Sequence, residues 1–367
     1  MHILPLKIAT RLGEKGSLKF MYLSLTNLCN LRCIYCYDVS SRIKHDKKIP
    51  LRILRKVASD ARRLGVENVC LTGGELFLNE NWYEVGKFFT EEGIKVLIST
   101  NGTLLNKETI FRVNKLNAGL QVSFDGSKET VDYITGEPGV YEKIVYSIEI
   151  IKKYCTCPPF LNAVIGKHNK DEVEFLDDFS KKHDLQIRLT FISTDITLNN
   201  VSSLKLSIEE IDELIWKVMG FRERNKNIFL NLPPLLTPDD HPRWFNPACG
   251  WAYYVAGILY NGDVTVCAVA SGIPELVAGN IMERSLYDIW TSSKLFKELR
   301  KYSDKDLKGI CQCCPVVQYC LGSCRLQPYL REGDFCAPLS LCEEYYQALK
   351  DRRIKKKSFP SGMLELE

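Results

Sequence analysis

No apolar run in this chain approaches the ~18 residues that a membrane-crossing helix needs, so the sequence predicts no span. The opening stretch MHILPLKIATRLGEKG has no apolar core followed by a cleavage site, which argues against a secretory signal and predicts a cytoplasmic protein. Charge of one sign is scarce too. Against 45 acidic side chains stand 49 basic ones, and a net +4 over 367 residues is too weak a field to make nucleic acid the expected partner. What remains, 45% hydrophobic and 26% charged, is the composition of a globular chain of roughly two domains at about 150 residues each.

Cysteine is present in excess. Fifteen thiols would suit a small secreted scaffold, but the odd count and the missing signal argue for metal chemistry instead of disulfides. They fall in three groups: residues 29–36, the pair at 249 and 267, and a dense set from 311 to 342. The stretch TNLCNLRCIYCYD places Cys29, Cys33 and Cys36 inside eight residues, with an aromatic on each side of the last. A closed tetrahedral zinc site takes four protein ligands. Three thiolates leave one coordination position unclaimed.

The first half alternates between strand and helix patterns. Strands are expected at 20–26, 66–72, 94–100, 119–125, 159–165 and 186–192, with helices at 51–64, 80–92, 106–116, 140–154 and 170–183. Repeated βα units predict an α/β fold with a parallel sheet, whose sites gather at the C-terminal ends of the strands. Besides the cysteine loop, TGGEL (72–76), STNG (99–102) and SFDG (123–126) stand at such ends. TGGEL alone is only a glycine-permissive turn; beside the thiols, Gly73 and Gly74 would let backbone approach a ligand, and Glu75 would supply an acceptor. From 193 to 245 the pattern weakens to one helix (207–224) and a proline-rich connection, in which His241 is given no role.

CNLRCIYC resembles the signature of the radical S-adenosylmethionine (SAM) superfamily. The resemblance implies a partial (β/α)6 TIM-like barrel in which Cys29, Cys33 and Cys36 hold a [4Fe–4S] cluster. The open iron would take the methionine amino and carboxylate groups of S-adenosylmethionine. It further implies that Gly73, Gly74 and Glu75 receive the methionine amine, that Tyr35 lies near the adenine, and that Ser99, Asn101, Ser123 and Asp125 contact the cofactor. Leu76 and Thr135 depart from the family, which often has proline and arginine there, so the partner of the methionine carboxylate is not assigned.

The later cysteines, with Gly262 five residues before Cys267 and with CQCCPVVQYCLGSC, resemble the SPASM extension of such enzymes. That resemblance implies two auxiliary iron–sulfur clusters, one on Cys311, Cys314, Cys320 and Cys342, the other on Cys249, Cys267 and Cys324. The second set is one thiolate short, and its fourth position is open, non-cysteine, or filled by Cys313 or Cys336. A separate zinc ribbon would leave Cys249, Cys267 and Cys342 unexplained. Cys70 is expected to pack on its strand, and Cys155 and Cys157 have no motif.

The expected organisation is a core at 1–195, a linker with one helix at 196–245, the SPASM domain at 246–345 and a tail at 346–367 whose basic run DRRIKKK reads as solvated charge. The function this implies is reductive cleavage of S-adenosylmethionine and oxidative modification of a peptide or protein, supported by a reductant such as ferredoxin or flavodoxin. The alternatives are modification of a small cofactor, either a tungsten or molybdenum pterin or a tetrapyrrole, and an electron carrier without chemistry of its own. Ala268 stands where sulfatase-maturing relatives place an acidic base, so no catalytic base is assigned. Only about twenty residues precede the first strand, and no peptide-recognition domain is expected before it.

Overall fold

The computed structural model describes residues 17–38, 48–192, 201–236, 249–250 and 252–354, with the side chain of Tyr319 excepted. The first residues of the chain, His241 with most of the proline-rich connection, and the end of the basic tail lie outside the described residues.

Seven parallel strands carry the first half: β1 (Phe20–Ser24), β2 (Asn68–Thr72), β3 (Lys95–Thr100), β4 (Gly119–Ser123), β5 (Phe160–Ile165), β6 (Gln186–Phe191) and β7 (Ile228–Asn231). Between them run α1 (Leu51–Leu64), α2 (Trp82–Glu91), α3 (Lys107–Lys115), α4 (Lys128–Thr135), α5 (Val140–Tyr154), α6 (Val173–His183) and α7 (Ile208–Arg222). The six expected strands and their helices all form, with ends shifted by at most two residues except that α6 starts three residues late, after a 3-10 turn at Lys170–Glu172. The sequence reading missed α4 and β7. A short helix between a DG turn and a glycine carries too few apolar positions to show a period, and IFLN is shorter than a readable strand pattern.

Period-two alternation sorts the strand residues. Met21, Leu23, Val69, Leu71, Ile98, Leu120, Val122, Leu161, Ile187 and Leu189 are at most 1% exposed and face the helices. The alternate set, including Tyr22, Cys70, Ser99, Gln121, Asn162 and Arg188, faces the concave side of the sheet. Helix ends are fixed locally. Gly65 takes φ +85° after α1 and its amide reaches Ala61 O and Arg62 O, while Ser207 and Glu210 form a reciprocal capping box at α7.

The cysteine-rich half joins the same sheet. Strand β8 (Val255–Ile258) lies parallel to β1, and β9 (Asp263–Thr265) and β10 (Val277–Asn280) continue antiparallel, giving the order β10-β9-β8-β1-β2-β3-β4-β5-β6-β7. Pairing with β8, all four residues of which are buried, removes the open edge that β1 would otherwise present. No helix among the described residues is long and apolar enough to cross a membrane.

Candidate functional site

The loop after β1 is sewn to its neighbours on both sides. Its carbonyls at Thr26 and Leu28 accept from Gly74 N at 2.9 Å and Glu75 N at 2.7 Å, and Asn79 Nδ2 donates to Leu25 O at 2.8 Å. Further on, Arg32 N and Ile34 N donate to Thr135 O and Ile134 O, at 3.3 and 3.0 Å, at the end of α4. Held this way, Cys29, Cys33 and Cys36 stand half-buried on one wall of a cavity of about 930 Å³ at the C-terminal strand ends. Burial, then the carboxylate of Asp125 and the other two thiols, pushes the Cys33 thiol well above its ordinary range. Thiols so crowded become a good ligand set once a cation offsets their charge.

TGGEL packs against this loop more tightly than a side chain would allow. A Cβ on Gly74 would lie 2.3 Å from Leu28 O, and one on Gly73 would lie 2.6 Å from Thr26 O. Glu75 is fully buried. Its Oε1 accepts from Phe77 N at 3.1 Å and Thr100 Oγ1 at 2.8 Å, and its Oε2 accepts from Asn101 N at 2.8 Å. Burial raises the carboxyl, and these three donors oppose the rise. Glu75 thus brackets β2 and β3, and Gly73 and Gly74 beside it line the cavity.

STNG and SFDG bring the remaining expected residues to the same place. Asn101 Nδ2 donates to Asn30 Oδ1 at 2.9 Å and lies 3.9 Å from Cys29 Sγ, so its side chain steadies the thiol loop. Ser99 and Ser123 line the cavity directly. Asp125, 6% exposed, accepts from Tyr35 Oη at 2.5 Å and Val164 N at 2.8 Å, and burial pushes it up to about 6 despite both donors. Thr135 also lines the cavity, with its hydroxyl turned back to Val131 O at 2.8 Å.

The sequence reading did not single out the cavity floor. Gln121, Asn162 and Thr190 line it, and Arg188 lies between the first two. The available signal was an arginine inside the otherwise apolar strand QIRLTF. His168 was also missed; its ring lies 5.8 Å from that of Tyr35.

In the second half, Cys342 on the helix Ser340–Lys350 lies within the electrostatic reach of Cys320, Cys311 and Cys314, which together with burial push its thiol far up. Cys267 likewise has Cys249 and Cys324 about it. Cys313 is exposed and perturbs Cys311 and Cys314, while Cys336 senses Asp334, Arg325, Asp306 and Lys308. Cys336 does share a smaller cavity of about 200 Å³ with Cys249. Cys249 and Cys267 act on Tyr22, Cys267 acts on Tyr37, and Val269, two residues after Cys267, lines the large cavity, whereas Cys324 lines a separate one of about 230 Å³. Cys70 is buried on the inner face of β2. Cys157 Sγ lies 3.5 Å from Asn117 Oδ1, away from every cluster of thiols.

The chain matches the Radical SAM superfamily over residues 23–179 and the SPASM iron-sulfur cluster-binding domain over residues 249–315. It is 26% identical to the AdoMet-dependent heme synthase of Methanosarcina barkeri over 342 residues, 87% of this chain and 94% of that one. It is 27% identical to the PqqA peptide cyclase of a Methylobacterium species, covering 87% and 84% of the two chains. Among solved structures, SuiB of Streptococcus suis bound to its precursor peptide SuiA aligns over 92% of this chain and 78% of its own, with a TM-score of 0.75 at 18% identity. A three-thiol loop on the first strand end, followed along the chain by a second thiol-bearing domain that closes on the same cavity, agrees with both family matches, and the protein belongs to the radical SAM superfamily as an enzyme with a C-terminal SPASM domain.

Proposed function

We propose that this enzyme oxidatively modifies a peptide or protein inside the barrel cavity. The observation that carries the reading is the shared cavity: the thiol loop and the end of the SPASM half, at Val269, open on one space of about 930 Å³. That volume stands near the upper end of the usual ~300–1,000 Å³ for a single ligand site. It has room for a nucleoside-sized cofactor and one inserted side chain, which suits a chain threaded past the mouth better than a wholly enclosed macrocycle.

The donor set fits the group the family requires. Cys29, Cys33 and Cys36 would hold a [4Fe–4S] cluster, which, with S-adenosylmethionine on its open iron, supplies the 5′-deoxyadenosyl radical. Gly73 and Gly74 would receive the methionine amine through their carbonyls, with Glu75 holding that turn rigid. Tyr35 would lie against the adenine, and Asp125 fixes Tyr35. Ser99 and Ser123 would meet the cofactor from the floor, and Asn101 orients the loop. Cys311, Cys314, Cys320 and Cys342 would hold one auxiliary cluster, and Cys249, Cys267 and Cys324 another whose fourth position opens toward the barrel. Removing a hydrogen atom leaves one electron for the substrate to lose, which a cluster held by Cys249, Cys267 and Cys324 would accept.

Resemblance to the PqqA cyclase and the peptide-bound form of SuiB supports a peptide; the heme synthase keeps a tetrapyrrole as the second reading. The test is mass spectrometry of candidate short peptides and of coproporphyrin III after incubation with reduced, reconstituted enzyme and S-adenosylmethionine. Loss of two hydrogen atoms from a peptide supports the first reading, and loss of carbon dioxide together with two hydrogen atoms from the porphyrin alone replaces it with the second.

A further inference from the structure

Arg188 stands mid-strand in β6 between Ile187 and Leu189, which are 0% and 1% exposed against the helices. Its side chain therefore enters the concave face. There its Nε donates to Asn162 Oδ1 at 2.8 Å and its Nη2 to Gln121 Oε1 at 3.0 Å, and Gln121 passes the chain on to Ser99 Oγ at 3.3 Å. The guanidinium carbon lies 5.2 Å from the centre of the Phe160 ring. Both acceptors are neutral amides. Among the described residues no carboxylate lies within 4.0 Å of this guanidinium, whereas Arg331 pairs with Glu332 and Glu343, and Arg55 with Glu91.

A partly desolvated cation held by two amides is an expensive arrangement unless an anion completes it. Guanidinium carries five donors in a fixed fork, and two are spent here. The guanidinium is bonded to Gln121 and Asn162, both of which line the large cavity. Its charge is felt across the barrel by Tyr22 and Cys70.

We propose that Arg188 receives a carboxylate of the substrate and so fixes which part of it meets the radical. The inference rests on the reading of the cavity as a substrate site. A substrate carboxylate fits better than the methionine carboxylate of the cofactor because of position around the sheet. The thiol loop and the Gly73–Gly74 turn that would hold the methionine end follow β1 and β2, whereas Arg188 stands on β6, four strands along from β2. The substrate is thus an acidic molecule, with an Asp or Glu side-chain carboxylate in a peptide or a propionate on a tetrapyrrole.

The test is equilibrium binding to reconstituted full-length enzyme with S-adenosylmethionine present. The probes are a fluorescent Glu-containing tetrapeptide with its Gln counterpart, and coproporphyrin III with its tetramethyl ester. For at least one pair the wild type should prefer the acid by about tenfold or more, the value of one charged hydrogen-bonded contact. R188Q should bring that preference close to one, and R188K should retain part of it. The pair that shows the preference identifies the source of the carboxylate. An equal preference in wild type and R188Q, no preference in the wild type for either pair, or a parallel loss of acid and neutral forms in R188Q would each overturn the proposal. The ratio needs no turnover, so it is read separately from whether any peptide is modified.

Discussion

Tyr35 donates its hydroxyl to Asp125 Oδ2 at 2.5 Å across ninety residues of sequence and thereby fastens the thiol loop to the end of β4. Tyr35→Phe would leave a buried carboxylate with Val164 N as its one remaining donor, a deficit of about 1–3 kcal/mol. Asp125→Asn can keep both contacts, since the amide accepts from Val164 and donates to the phenol oxygen. Urea denaturation of the reconstituted proteins should therefore show Tyr35→Phe as the less stable variant, and its KM for S-adenosylmethionine should rise further. Equal stability of the two would remove the bond from the account.

Gly74→Ala places a methyl group 2.3 Å from the Leu28 carbonyl, a backbone atom that cannot step aside without moving the cysteines after it. The expected cost is about 1–3 kcal/mol, with a disordered cluster loop and lowered iron retention. Gly220→Ala is the control of opposite sign. Nothing lies within 4 Å of its Cβ position inside α7, so it should gain about 0.5–1 kcal/mol and leave iron content alone.

These two glycines show what a sequence can and cannot convey. The GG pair after β2 was readable as a close approach, but the surface approached, the Thr26–Leu28 backbone itself, depends on how β1 and β2 pair. Glu75 was readable as functional and unreadable as a bracket, because its three donors come from its own turn and from β3. The strand and helix periods were legible because each element buries one face. Strand β7 and the pairing of β8 with β1 were not, since short apolar segments acquire their meaning only from a partner strand. Arg188 was visible as a letter, but its separation from every carboxylate among the described residues was not.

Iron content separates the auxiliary sites. With one four-iron cluster on each of the three cysteine sets the chain would carry about twelve iron atoms, and the Cys29/Cys33/Cys36 triple alanine variant should lose about four of them while staying folded. Stoichiometric zinc in place of iron would return the second cysteine group to a ribbon.

With an open fourth position on the Cys249, Cys267 and Cys324 set, Cys336→Ala and Cys313→Ala should both retain all the iron; Cys267 has Cys249 and Cys324 as its thiol neighbours, and Cys313 is exposed. Electron paramagnetic resonance after addition of a small thiol should then show one perturbed cluster, the one with the open position. Loss of a whole cluster in either variant would mean that position is closed by the residue removed.

The central claim is that the loop after β1 makes this chain a radical enzyme, and 5′-deoxyadenosine is its most direct readout. Anaerobically reconstituted protein, reduced with dithionite and given S-adenosylmethionine, should form 5′-deoxyadenosine, and Cys33→Ala, with its fold intact, should form none above the protein-free background. Formation of the nucleoside by Cys33→Ala at the wild-type rate, or its absence from a wild-type protein that carries its iron, would contradict the account.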